Sequence, residues 1–328
     1  MSLQAEGSSL KAEGCSLSAD GSYLSAEGSS LKAEGSANTV SGEPAGSLDG
    51  LINLERYPIT SLQGAQGREL VEECRRQLAV DGCIVLKRFV PEEALERLER
   101  ETVRLSPEAH YNLNETNPYN SDGDASLPPT HPKNRFGDRT NGFVAGDRID
   151  DSTIIRQIYE SPEFQHFIST VVGMHEINEY ADPLAGLVIN VLREGCQHPW
   201  HYDTNEFIVT MMTKQAKGGG RFEYSPGIRS PEGENFDEVE RVIDGDRSTL
   251  KSLDLQPGDL QIFFGRYSLH RVTPVEGDRE RHTVIFAYAK EPGFIGRPER
   301  AKRIFGRMAP IHEQLLKDGM QRSDNLQD

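Results

Sequence analysis

Two short stretches of this chain carry residue types that could do redox chemistry together. His201, Tyr202 and Asp203 form a His-x-Asp pair, and His270 follows 67 residues after Asp203. Two imidazoles and one carboxylate can hold one face of a ferrous ion. Three coordination positions then stay open for a cosubstrate and for dioxygen. Arg281, 11 residues past His270, could grip an acidic cosubstrate lying beside such a metal. On these residues the chain reads as an Fe(II) oxygenase driven by a 2-oxo acid.

Extended segments must bring the four residues together. Alternate side chains on a strand share a face, so His201 and Asp203 can chelate one ion while Tyr202 points away. The third ligand must come from another strand. His270 follows the apolar strand 260–264, which is entered through the turn Pro257-Gly258-Asp259, and is expected at that strand's end. Residues 281–289 alternate, with Arg281, Thr283, Ile285 and Ala287 on one face and His282, Val284, Phe286 and Tyr288 on the other. The segments 187–192 and 207–213 are apolar and β-branched, and Gly218-Gly219-Gly220 turns into a further strand over 221–224. Several short strands separated by turn signals predict a sandwich or jelly roll.

Ahead of these strands the spacing predicts a helix over 68–80, a strand over 83–86 and a helix after Pro91. Ser161-Pro162-Glu163 supplies an N-cap, a first helical residue and a first-turn acid for another helix. Residues 111–151 have little periodicity and read as a long loop of the kind that forms lids. Residues 297–319 are predicted to be helical and to pack outside the sheets. Residues 3–37 hold five copies of a seven-residue unit, starting at Leu3, Leu10, Leu17, Leu24 and Leu31. Each unit has one large apolar position and a glycine, whereas a coiled coil needs two apolar positions per heptad. Residues 1–50 are therefore expected to be a disordered or weakly ordered arm and linker.

Lys and Arg total 36 against 52 Asp and Glu, a net charge of −16. That balance argues against a nucleic-acid partner and against an anionic membrane surface. No run of 18 apolar residues is present, and the N-terminus has no secretory pattern. A cytoplasmic protein with a small-molecule substrate is the expectation. Cys15, Cys74, Cys83 and Cys196 are widely spaced and are expected as reduced thiols. The three glycines lack the Lys and Ser/Thr of a phosphate loop.

Four segments together resemble the Fe(II)/2-oxoglutarate dioxygenase superfamily: Gly-Cys-Gln-His-Pro-Trp-His-Tyr-Asp ending at Asp203, Leu255-Gln-Pro-Gly-Asp259, Ser268-Leu-His270 and Arg281-His-Thr283. Within it, the chain is most similar to the small-molecule and free-amino-acid hydroxylases and the carrier-independent halogenases. The resemblance covers roughly residues 70–289. It implies a mainly β fold with flanking helices, a double-stranded β-helix (jelly roll, cupin-like), as the dioxygenase domain over 51–328. It also implies Fe(II), 2-oxoglutarate and dioxygen as cofactors. His201, Asp203 and His270 match the metal triad. Arg281 matches the residue that pairs with the far carboxylate of 2-oxoglutarate, since a guanidinium fork donates two parallel hydrogen bonds. Arg271 and Arg279 compete for that role. Thr283 could add a hydroxyl, and Asn190 is either a core amide or a second donor to that carboxylate.

Halogenating relatives replace the metal-binding carboxylate by a small residue so that halide can enter. This chain keeps Asp203, so the resemblance implies hydroxylation, desaturation or oxidative ring closure at an aliphatic C–H bond. An amino acid or derivative is the expected substrate. Substrate contacts are expected at His198, Arg135, Asn141 and Ile285. Ile285 and Ala287 would favour an aliphatic portion over a second charged end. The alternative is a non-catalytic cupin-like protein that binds a metal or small molecule, and such a protein need not keep Arg281.

Overall fold

The structure, a computed structural model, describes residues 48–318. The five repeats of the predicted arm lie outside the described residues. Leu48 is buried in the core, so the folded part begins slightly ahead of residue 51.

The first helix, α1 (Ala65–Asp81), ends at Gly82 in the left-handed conformation (φ 61°), whose N–H caps the Leu78 carbonyl. A glycine meets that φ without strain. Strand β1 (Cys83–Leu86) and helix α2 (Glu92–Leu105) follow. Further along come β2 (His110–Tyr111), β3 (Gly142–Val144), α3 (Ile154–Tyr159) and α4 (Pro162–Val172). The Ser161 hydroxyl accepts a 3.2 Å bond from the Phe164 N–H, as the Ser-Pro-Glu signature predicts. Ser161→Ala is expected to cost about 1 kcal/mol of stability. A lower urea midpoint at unchanged m would show it.

The remaining strands of the two main sheets, with helix α5 (Phe236–Ile243) lying between the seventh and eighth, are β4 (Leu187–Leu192), β5 (His198–His201), β6 (Ile208–Lys214), β7 (Phe222–Ser225), β8 (Lys251–Leu253), β9 (Leu260–Phe263), β10 (Leu269–Val272) and β11 (Arg281–Phe286). One sheet runs β1-β9-β6-β11-β4-β3-β2 and the other β8-β7-β10-β5. All these pairings are antiparallel.

Period-two alternation explains the layering. On one face of the large sheet Ile84, Val209, Ile262 and Phe286 pack with Phe89, Leu98 and Phe164 from the helical side. On the other, Val85, Ile208 and Phe263 meet Phe222 and Tyr224 of the small sheet. Two sheets closed on one another in this way form the double-stranded β-helix.

Three sequence expectations need correction. Residues 111–151 are not one loop. They include β3, which joins the large sheet, and a hairpin pairing Asn114–Thr116 with Gly137–Arg139. Asparagine side chains replace a repeating ladder here. The Asn117 amide donates to the carbonyls of Ser121 and Lys133, and the Asn134 amide to those of Asp124, Leu127 and Pro128. Such bonds leave no hydrophobic period to read. The C-terminal stretch is helical as expected but broken at Gly306 into α6 (Pro298–Phe305) and α7 (Pro310–Asp318). Rather than lying outside the sheets, α6 packs beside β2 and β3 and walls a cavity. Cys74 and Cys83 are free and buried, but Cys196 is disulfide-bonded, against the expectation of reduced thiols throughout. Among the described residues, no helix is long and apolar enough to cross a membrane.

Candidate active site

β5 and β10 pair so that His201 lies directly opposite His270, and the register then slips so that Val272 faces His198. The extra residue makes a bulge in β5. In a regular strand, residues three apart point to opposite faces. Here the His198 and His201 rings stack instead, with centroids 3.6 Å apart and planes 19° apart. The His201 and His270 rings are 4.0 Å apart. His270 therefore does not sit at the end of β9, as its spacing suggested. The chain crosses from one sheet to the other after Phe263, and His270 begins on a strand of its own beside His201. The same crossing positions Asp203, whose N–H donates to the Gly265 carbonyl at 3.1 Å.

One ligand atom from each of His201, Asp203 and His270 lies within 4.8 Å of the other two. His270 Nε2 is 3.5 Å from Asp203 Oδ2, and His201 Nε2 is 4.0 Å from Asp203 Oδ1. The opposite ring nitrogens are engaged, His201 Nδ1 with Pro199 O at 2.7 Å and His270 Nδ1 with Ser268 O at 2.9 Å. A carbonyl only accepts, so each Nδ1 carries a proton and each Nε2 is the ring nitrogen aimed at Asp203. Burial, and then the neighbouring His270, hold His201 well below the usual imidazole range. It is neutral, as a ligand must be. Asp203 Oδ2 is buried without a hydrogen-bond partner. A donor set of two imidazoles and a carboxylate with an orphaned oxygen fits a ferrous ion.

Arg281 points to the inner face of β11 and is 3% exposed. Its Nη1 donates to the Thr283 hydroxyl at 2.6 Å, its Nε is buried without a partner, and no carboxylate among the described residues pairs with it. Burial pushes the guanidinium down to about 10, which still leaves it charged at neutral pH. An uncompensated buried cation is unfavourable by several kcal/mol, so the site fits a carboxylate from outside the chain. The competing cations are engaged elsewhere. Arg271 pairs with Glu223 and lies 4.5 Å over Trp200, and Arg279 pairs with Glu99. His282, on the opposite face, is buried against Glu280.

Thr283 sits opposite Asn190 in the β4–β11 register. Asn190 Oδ1 accepts from the Asn141 amide at 3.2 Å, and Asn141 Oδ1 accepts from Arg139 Nε at 3.2 Å. A polar row thus runs from beneath the cosubstrate residues to a cavity of about 480 Å³, whose lining includes His198, His201, Asp203, Ile285 and Arg139. Ile285 marks where the β11 face leaves the cavity and continues inward to Thr283 and Arg281.

The structure thus brings His201, Asp203 and His270 together and sets Arg281, Thr283 and Asn190 along one inner wall. It places His198 and Ile285 on the cavity and Asn141 behind it. It does not bring Arg135 there, because Arg135 is drawn to Asp244 in a 2.6 Å ion pair. Arg139, four residues on, faces the cavity instead. Arg300 and Arg303 of α6 also line it and were not singled out from sequence. Their spacing of three within a segment expected to be helical was the available signal.

A family model described as Halogenase D matches residues 66–295. Similar solved structures include AviO1 from Streptomyces viridochromogenes Tue57, at 15% identity over 69% of this chain and 97% of that one with a TM-score of 0.47. An oxidoreductase of the 2OG-Fe(II) oxygenase family from Burkholderia pseudomallei is 17% identical over 68% of this chain and 92% of that one, with a TM-score of 0.43. A Pseudomonas putida prolyl-4-hydroxylase is 13% identical over 67% and 99%, with a TM-score of 0.42. No curated protein matches the chain. The family match runs from α1 to beyond β11 and includes the triad, Arg281, Thr283 and Asn190; the chain belongs to the Halogenase D family, and is a 2-oxoglutarate-dependent oxygenase.

Proposed function

We propose that the protein oxidises an aliphatic C–H bond of a small molecule, an amino acid or derivative, by hydroxylation, desaturation or oxidative ring closure rather than by halogenation. In this reading residues 51–328 are the catalytic domain, and His201, Asp203 and His270 are the iron ligands. Arg281 holds the far carboxylate of 2-oxoglutarate, with Thr283 orienting the guanidinium and Asn190 beside it. Held by these three ligands, Fe(II) would supply the oxidative chemistry that couples decarboxylation of 2-oxoglutarate to removal of a substrate hydrogen atom. The chain's own residues position the reactants. The two Nδ1–carbonyl bonds fix the imidazole planes, and Ile285, Val188 and Phe143 offer an apolar surface that excludes water from the reacting carbon.

The single observation carrying this reading is Asp203. Its carboxylate faces both imidazoles where a halogenating relative has a small side chain, so the position that would admit halide is filled. A mass-spectrometric screen of small amino acids with Fe(II), 2-oxoglutarate and air, in chloride buffer, tests it. One succinate per oxidised product, whether hydroxylated, desaturated or cyclised, is expected. A chlorinated product would overturn the choice of reaction. Binding of 2-oxoglutarate with no succinate from any substrate would favour the non-catalytic alternative.

A further inference from the structure

We propose that Asp182 and His312 are positioning residues for the substrate. Together they hold α6 in place as the wall that closes the cavity. Substrate recognition depends on that hold, whereas binding of iron and 2-oxoglutarate does not. The substrate concerned is that of the oxygenase reading, on which this inference rests.

α6 has eight residues, too few to make a stable helix alone. Its packing partners are local. Ala301, Phe305 and Ala309 cluster with Phe143, Leu184 and Val188, apart from the main core on the helical side of the large sheet. Phe143 and Val188 line the cavity on one side and Ala301 and Phe305 line it from α6, so the seat of α6 sets the shape of the cavity. A small satellite cluster of this kind opens more readily than a main core, and a specific tie is needed to keep it shut.

Asp182 supplies the tie. It is 2% exposed and joins three segments. Its Oδ1 accepts from the Leu184 N–H at 2.8 Å, just ahead of β4. Its Oδ2 accepts from the Gly296 N–H at 3.1 Å, at the entry to α6, and from His312 Nε2 at 3.0 Å, on α7. A Cβ at residue 296 would come within 3.0 Å of that oxygen, so glycine lets the backbone approach. His312 is fully buried. Its Nδ1 accepts from the Ala309 N–H at 3.1 Å, which leaves the proton on Nε2 and directs it to Asp182. His312 is the third residue of α7, the position from which a side-chain acceptor reaches back to the residue before a helix, as in a capping box. One ring thus caps α7 and ties it to the base of β4. The same carboxylate fixes α6 from both ends, through Gly296 ahead of it and through α7 behind it. Hydrogen bonds to a buried carboxylate are stronger than neutral ones and costly to leave unmade.

Hydrogen exchange of the full chain, loaded anaerobically with Fe(II) and 2-oxoglutarate, and steady-state kinetics test the hold. Gln at 312 can still accept the Ala309 N–H but cannot also reach Asp182, whereas Ala loses both bonds. His312→Gln is therefore expected to behave like His312→Ala. Amides of residues 298–305 should exchange about tenfold faster than in wild type, with those of β4, β5, β10 and β11 unchanged. For the amino acid that wild type oxidises, KM should rise about tenfold and more than one succinate should form per oxidised product. The KM for 2-oxoglutarate and the affinity for Fe(II) should not move. Gly296→Ala, which crowds the carboxylate from the other end of α6, should shift the same readouts in the same direction. A His312→Gln protein that matches wild type would reduce His312 to a helix cap. Faster exchange in α6 with an unchanged substrate KM would leave that helix no part in recognition. Faster exchange throughout both sheets would make the pair a general support of the fold. Each of these results overturns the proposal. No succinate from any amino acid with wild type would count against the oxygenase reading instead, and wild-type exchange of α6 in His312→Gln would then overturn the hold by itself.

Discussion

Arg281→Ala is expected to raise the KM for 2-oxoglutarate by about two to three orders of magnitude while leaving Fe(II) affinity unchanged. The guanidinium is a buried cation with one neutral hydrogen-bond partner and an orphaned Nε. Removing one member of a buried charge pair costs about 2–5 kcal/mol, and each 1.4 kcal/mol is about tenfold. Arg281→Lys keeps the charge but loses the fork, so it should recover only part of the loss. Stability moves the other way from what a structural arginine would give. Alanine removes an uncompensated cation, so the ligand-free protein should melt no lower than wild type. The upward shift in melting temperature produced by 2-oxoglutarate should disappear, because that shift measures binding to the folded state. Initial rates against 2-oxoglutarate, with melting curves in parallel, make the measurement. A lower melting temperature with an unchanged KM would assign Arg281 to the scaffold.

What the sequence reveals here depends on how tightly chemistry restricts residue type. Few side chains bind iron, so His201, Asp203 and His270 stand out by identity and spacing alone, and Arg281 stands out by its distance from His270. Strands such as β4, apolar at nearly every position, are legible to the residue. Placement is less legible. The sheet to which His270 belongs depends on a crossover between Phe263 and Leu269 that periodicity does not mark. His198 shares a face with His201 only because the β5–β10 register slips by one residue. Arg135 and Arg139 are four positions apart in a segment with no hydrophobic period. Asp244 captures one and the hairpin turns the other to the cavity. The role of α6 was hidden for a related reason. Its amphipathic pattern shows that it packs, not that its polar face closes the mouth of the barrel.

Gly265→Ala is expected to lower metal affinity about 10–100-fold, the range found when a group that orients a metal ligand is disturbed. A Cβ built at residue 265 would overlap the carboxylate of Asp203, and no other side chain stands closer to it. Backbone movement is restrained because Asp203 N–H is bonded to Gly265 O. The carboxylate must therefore rotate away from the two imidazoles, and the triad loses its anionic member. Glycine at 265 is thus the complement of aspartate at 203. A chain with a small residue at 203 would have no need of it. That relation makes the test specific. Metal titrations on wild type, Gly265→Ala, Asp203→Ala and the double variant form a cycle. If the methyl acts only by displacing the carboxylate, Gly265→Ala should have no further effect once Asp203 is alanine. Independent, additive losses would mean instead that the methyl disturbs the crossover between the sheets, and with it His270.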